Sequence, residues 1–209
     1  MARLALAPFY PIIDVAAADR RERALELADA VLAAGAPWLQ LRCKDSPAGA
    51  FLEMARALVA RAATFDAQVV VNDRVDVAVL SGAAGVHVGQ DDLPLDRVRG
   101  LAGDRLVIGV STHTVAEAER AEAEGADYVG FGPLFATASK RDALTPRPSE
   151  VLRAVRAAIR LPIVAIGGIT EETAPAALAA GATAVAMIGA LASSADPRSL
   201  AARLLQLRA

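Results

Sequence analysis

Residues 69–94, VVVNDRVDVAVLSGAAGVHVGQDDLP, decide how the chain folds. A β-branched run ends at Asn72-Asp73, a short segment of helical periodicity follows, Gly82 and Gly85 bound a turn, and a second β-branched run ends in the acidic loop 89–92. Strand, helix and strand joined this tightly make two parallel neighbours. Loops that follow consecutive strands of a parallel α/β protein open on one face, so Asp73 and Asp92 are expected to face each other. Two carboxylates beside the amide oxygens of Asn72 and Gln90 form a hard-oxygen site. That chemistry suits Mg²⁺, which commonly takes one or two protein carboxylates and completes its shell with water and substrate phosphates. The plainer reading is that Asp73 and Asp91 only cap the helices that follow. A pair of carboxylates, Asp73 and Asp92, at matched strand ends favours the metal.

The same alternation runs outward in both directions. Strands are expected at 4–13, 38–42, 68–71, 86–88, 106–110, 128–131, 162–166 and 184–188. Helices are expected at 20–34, 47–63, 74–80, 93–101, 115–124, 149–159, 171–180 and 197–207. Gly35 and Gly125 stop two of these helices, Ser46-Pro47 opens another, and Asp91 or Asp92 can cap the one that starts near Leu93. Eight strands, each followed by a helix, predict one α/β domain over residues 1–209, a closed (β/α)₈ TIM barrel. A doubly wound open sheet is the alternative, but no Gly-x-Gly-x-x-Gly follows the first strand.

Composition narrows the function. The chain has 209 residues, 55% of them hydrophobic, enough to bury a full core. Its net charge of −2, with no long run of either sign, argues against a general nucleic-acid or anionic-membrane surface, so any anion must be held locally. The one cysteine, Cys43, cannot form an internal disulfide, and the start MARLALAPFYPIIDV lacks the pattern of a secretory leader. A cytoplasmic protein is the expectation. No apolar run reaches the length of a membrane span. A homo-oligomer is compatible with the sequence.

On a barrel, the loops after the strands carry the chemistry. Gln40, Arg42 and Lys44 alternate along the second strand and point to one side, with Leu39, Leu41 and Cys43 on the other. At a barrel rim the first set can bind an anion, Arg42 by its planar fork and Lys44 as a point charge. Cys43 reads as a small packing residue. Ser111 shares the parity of Gly109 and can reach a phosphate oxygen or cap the next helix. His113 reads as a capping or solvated residue, His87 as a hydrogen-bonded core residue. The polar loop 132–142 is a candidate lid or binding loop. Gly167-Gly168 and Gly189 follow the last two strands, where backbone N–H groups can cradle a phosphate.

In order along the chain, QLRxK (40–44), ND (72–73), GxHxGQDD (85–92), GVSTHT (109–114), GADYVGFGPLFATxSK (125–140), AIGGIT (165–170) and MIGA (187–190) closely resemble the thiamine phosphate synthase family. The resemblance implies a (β/α)₈ barrel that joins 4-amino-5-hydroxymethyl-2-methylpyrimidine diphosphate to a thiazole phosphate with Mg²⁺, releasing diphosphate. It places Gln40, Leu41, Arg42, Cys43, Lys44, Asn72, Ser111 and Lys140 on the pyrimidine diphosphate. Asp73 and Asp92 match the magnesium ligands. Thr137, Ala138, Ser139, Gly168, Ile188 and Gly189 match the positions on the thiazole phosphate, and Arg42, Lys44 and Lys140 would act on the leaving diphosphate. Three positions depart from the family's usual residues: Cys43 stands where an acid is common, Ser139 where Thr is, and Gly189 where Ser is. A thiazole tautomerase-like isomerase and a non-catalytic phosphate-binding barrel are the rival readings, and the joint presence of Asp73, Asp92 and Lys140 argues against both.

Overall fold

The computed structural model describes residues 4–16, 21–44, 46–136 and 145–208. Eight parallel strands close in sequence order: β1 (Phe9–Asp14), β2 (Trp38–Arg42), β3 (Gln68–Asn72), β4 (Gly85–Val88), β5 (Val107–Thr112), β6 (Tyr128–Phe131), β7 (Ile163–Ala165) and β8 (Ala184–Met187). β8 returns to β1 through the register Phe9↔Val185 and Tyr10↔Ala186. Between the strands lie α1 (Arg21–Ala33), α2 (Ala48–Ala63), α3 (Val75–Ser81), α4 (Leu95–Ala102), α5 (Val115–Ala123), α6 (Ser149–Ala158) and α7 (Ala174–Ala179). After β8 come a four-residue helix, α8 (Gly189–Ala192), and α9 (Pro197–Leu205).

Strand parity divides the core in two. One set of alternate residues, among them Ile13, Leu39, Leu41, Val71, Val86, Ile108, Val129, Ile163 and Val185, joins the helices in an outer apolar shell. The other set, including Tyr10, Ile12, Trp38, Val70, Val107, Tyr128, Val164 and Ala186, fills the barrel interior. This two-sided burial is why the strands read as nearly continuous apolar runs. The shell accepts helices rich in alanine, such as α1, which buries Ala24 and Ala28 beside Leu27, Val31 and Leu32.

Several boundaries differ from the sequence reading, each for a local reason. Residues 4–8 precede β1 instead of forming it; Leu4 and Leu6 alternate like a strand because both pack against the interior cluster. Helix α4 enters through Pro94, not Asp91 or Asp92, and Asp92 Oδ2 instead accepts from the Gly89 N–H at 2.7 Å. Proline 47 and Pro148 play the same entry role for α2 and α6, each held near the φ that proline imposes. Helix α7 starts only at Ala174, because the Thr173 hydroxyl accepts from the Thr170 N–H at 2.9 Å and closes a separate turn. Among the described residues no helix is long and apolar enough to cross a membrane.

Candidate active site

The C-terminal end of the barrel interior is a pocket. Its walls come from the inward parity of nearly every strand: Tyr10 and Ile12, Gln40 and Arg42, Asn72, His87, Ser111, Tyr128 and Gly130, Val164 and Ile166, Ala186 and Ile188. Gln40, Arg42, Asn72, Ser111 and Ile188 were legible as site candidates, and the structure brings them together around one space. The side chains of Leu41 and Cys43 belong to the outer shell and not to the pocket. Burial and the Asp14 carboxylate push the Cys43 thiol up to about 12, which leaves it an inert packing group at neutral pH. Thr137, Ala138, Ser139 and Lys140 lie outside the described residues.

The rim carries paired charges. Arg42, half-buried, donates to Asp14 on β1, which is only 3% exposed and also accepts from the Ala16 N–H at 2.9 Å. Sequence reading missed Asp14; its inward parity with Tyr10 and Ile12 was the available signal. An uncompensated charge here would be costly, so Asp14 and Arg42 hold one another in place. Next along the rim, Lys44 Nζ lies 2.5 Å from Asp73 Oδ2.

Asp73 and Asp92 do meet, as the strand-end argument required. Their side chains are in hydrogen-bond contact, and burial together with the Asp92 charge holds the Asp73 carboxyl above the ordinary aspartate range despite the opposing pull of Lys44. Asp73 also sits at φ +64°, a left-handed conformation that costs a non-glycine residue of order 1 kcal/mol or more. Its N–H donates to the His87 carbonyl at 2.7 Å, which pins the strained turn to β4. Such strain and mutual repulsion persist at sites where the arrangement itself is needed.

Gln90 does not offer its amide oxygen to this pair. Its Oε1 accepts from Arg120 at 2.7 Å and its Nε2 donates to the Ser111 carbonyl at 2.6 Å, making it a strut between the acidic loop, β5 and α5. His113 is likewise a tie: its Nδ1 lies 2.6 Å from the Gly132 carbonyl oxygen, and its N–H donates to Glu117 Oε2 at 2.6 Å. At the opposite rim, Gly167 and Gly168 adopt φ +96° and +63° directly after β7, and Gly189 opens α8 after Ile188. Barrels of this type often place a phosphate between those two loops and the start of a short extra helix. The sequence showed the glycines but not α8, which is too short to display helical periodicity.

The charged groups and the glycine turns stand at the C-terminal ends of strands, the catalytic face of this architecture, and they define a barrel enzyme built for a small anionic substrate. Comparison with known proteins agrees. The family model described as thiamine monophosphate synthase matches residues 9–191, and the chain belongs to that family. A thiamine-phosphate synthase from Moorella thermoacetica is 46% identical over 180 residues, 86% of each chain. Another, from Anaeromyxobacter dehalogenans, is 48% identical over 177 residues, covering 85% of this chain and 79% of that one. Among solved structures, a thiamine phosphate pyrophosphorylase from Pyrococcus furiosus superposes with a TM-score of 0.83 at 30% identity, covering 95% of this chain and 96% of that one.

Proposed function

We propose that the chain joins 4-amino-5-hydroxymethyl-2-methylpyrimidine diphosphate to 4-methyl-5-(2-phosphooxyethyl)thiazole, forming thiamine phosphate and diphosphate. The observation that carries this reading is the meeting of two carboxylates, Asp73 and Asp92, with two cations, Arg42 and Lys44, on adjoining strand ends above the pocket. A planar ring in the pocket would leave its diphosphate at that rim.

The residues present fit a magnesium ion. Among the described residues no group of three or more His, Cys, Asp or Glu side chains could hold a metal, so Asp73 and Asp92 act as a pair. Mg²⁺ commonly takes one or two protein carboxylates, and the burial and Asp92 charge that together raise Asp73 are what a divalent cation offsets. Held by Asp73 and Asp92, it would supply charge neutralisation for the diphosphate oxygens. Without neutralisation, diphosphate beside these carboxylates would be repelled by several kcal/mol per close pair, taking an effective dielectric of about 20.

Arg42, Lys44 and Lys140 stabilise the leaving group. The C–O bond breaks with its electron pair going to diphosphate, and the aminopyrimidine ring donates into the exocyclic methylene left behind. The thiazole nitrogen then uses its lone pair to form the new C–N bond. Gly168, Ile188 and Gly189, with Thr137, Ala138 and Ser139, position that nitrogen by holding the thiazole's phosphate. No enzyme nucleophile is needed, consistent with the inert Cys43 and the structural role of His113. The deciding experiment supplies both substrates with Mg²⁺ and looks for thiamine phosphate and diphosphate; absence of both products refutes the reading.

Two further outcomes are expected. Lys140→Ala should lower kcat more than it raises the KM for thiazole phosphate, because the charge it meets grows as the C–O bond breaks. An unchanged kcat with both substrates saturating would remove Lys140 from the reaction. Asp73→Asn should raise the melting temperature near neutral pH while reducing activity. The sign follows from linkage: a carboxyl raised on folding leaves the native state binding more protons than the unfolded one, so its contribution to stability falls as pH rises through the folded pKa. The gain over the parent should therefore shrink as pH falls through the raised folded pKa and be gone below the ordinary aspartate range. Asn also tolerates the left-handed backbone at this position. Melting curves at several pH values check this; a lower melting temperature near neutrality would show that the Lys44 contact outweighs the strain and repulsion.

A further inference from the structure

Beneath the charged rim a line of hydrogen bonds crosses the barrel interior. The Tyr10 and Tyr128 hydroxyls are 3.0 Å apart, the Tyr128 hydroxyl is 3.0 Å from His87 Nδ1, and His87 Nε2 is 2.9 Å from Ser111 Oγ. Space has been cleared for it. A Cβ on Gly109 would lie 2.1 Å from the Tyr128 ring and 2.5 Å from His87 Nδ1, and one on Gly130 would lie 3.0 Å from the His87 ring. The line ends at Ser111, one of the pocket walls.

Counting protons gives the line a direction. Burial raises both tyrosines above their ordinary value, so each keeps one phenolic proton that needs an acceptor. The Tyr10 hydroxyl has the Tyr128 hydroxyl as its hydrogen-bond partner. The Tyr10 proton therefore goes to Tyr128 and the Tyr128 proton to His87 Nδ1. A neutral imidazole has one donor and one acceptor, so His87 carries its hydrogen on Nε2 and gives it to Ser111 Oγ. The hydroxyl proton of Ser111 is then turned away from His87, toward the pocket.

We propose that His87, oriented by Tyr128, is a positioning residue that fixes the Ser111 hydroxyl as a hydrogen-bond donor into the pocket and thereby selects a ring presenting an acceptor nitrogen there. This rests on the pyrimidine reading above. An aminopyrimidine bound with its ring nitrogen toward Ser111 satisfies the donor, whereas the same ring turned to present its amino group sets donor against donor. Because a buried unpaired polar group is penalised, the line chooses one ring orientation and with it the direction of the exocyclic methylene.

The chain has only two histidines, which makes the test clean. In ¹⁵N-histidine NMR of the intact protein near pH 8, His87 should be the Nε2–H tautomer. His113, whose Nδ1 faces the Gly132 carbonyl, should be the Nδ1–H tautomer and serves as the internal reference. In Tyr128→Phe the His87 signal should shift to a tautomer mixture. The KM for the pyrimidine diphosphate should rise roughly threefold to tenfold, the worth of one hydrogen bond, with the KM for thiazole phosphate unchanged. The Tyr128→Phe change should add nothing in a Ser111→Ala background. An Nδ1–H tautomer at His87 in the parent, or additive losses in the double variant, overturns the proposal. The tautomer measurement needs neither turnover nor a folded Tyr128→Phe variant, so failure of this inference is distinguishable from failure of the functional reading.

Discussion

Asp92→Asn is expected to lower turnover by about a hundredfold or more, since a metal-held charge is worth several kcal/mol in the transition state and each ~1.4 kcal/mol is a factor of ten. The fold should survive. Asp92 is tied to its loop by one carboxylate oxygen accepting the Gly89 N–H at 2.7 Å, and the asparagine amide oxygen can take over that bond. What it cannot supply is the second negative charge that sets Asp92 against Asp73. The melting temperature of the variant should therefore hold or rise, because the repulsion borne by the parent is gone. Mg²⁺ titrated into the parent should raise its melting temperature in proportion to ligation, and titrated into the variant should do so much less. Full activity of the parent in excess EDTA, or equal stabilisation of both proteins by Mg²⁺, would remove the carboxylate pair from the metal.

The barrel and most of its rim were readable in the sequence because strand parity and chain order are one-dimensional properties. Gln40, Arg42, Asn72 and Ser111 end on one pocket through the alternation of their strands, and Asp73 meets Asp92 because consecutive parallel strands finish on the same face. What the sequence hid depends on contacts across the barrel. Asp14 looks like any polar residue at a strand end until Arg42 donates to it from the next strand. Tyr10 and Tyr128 look like core aromatics until their hydroxyls meet across 118 positions of sequence, and His87 was legible as hydrogen-bonded but not as a wall of the pocket. Gln90 misled for the same reason: a loop amide next to two aspartates suggests a ligand, and only the position of Arg120, thirty residues on, shows that its oxygen is already committed.

Gly168→Val is expected to cost about 2–6 kcal/mol of stability, roughly 1–3 for a β-branched residue forced to positive φ and a similar amount for overpacking. The sequence alone gives two reasons, a side chain crowding a phosphate and a β-branched residue resisting any positive φ the turn needs. The structure adds one that precedes any ligand. Gly168 sits at φ +63°, and a Cβ there would lie 2.4 Å from the Ala136 carbonyl oxygen and 2.7 Å from the Phe135 side chain. The loop leaving β6 runs along the end of β7, with the Leu134 N–H donating to Ile166 at 3.0 Å and the Phe135 N–H to Gly167 at 2.9 Å. Backbone cannot retreat as a flexible side-chain tip can, so valine must push this loop away from β7. Residues 137–140, assigned above to both substrates, follow that loop in sequence. Urea unfolding should show the loss of stability without substrate, and kinetics on the folded fraction should show a raised KM for thiazole phosphate. Ser139→Ala, by contrast, should cost only about 0.5–1.5 kcal/mol of binding, one hydrogen bond, with the fold untouched. If Gly168→Val unfolds at the parent's urea midpoint and binds thiazole phosphate as well as the parent does, the close packing of the two loops is not what holds the site together.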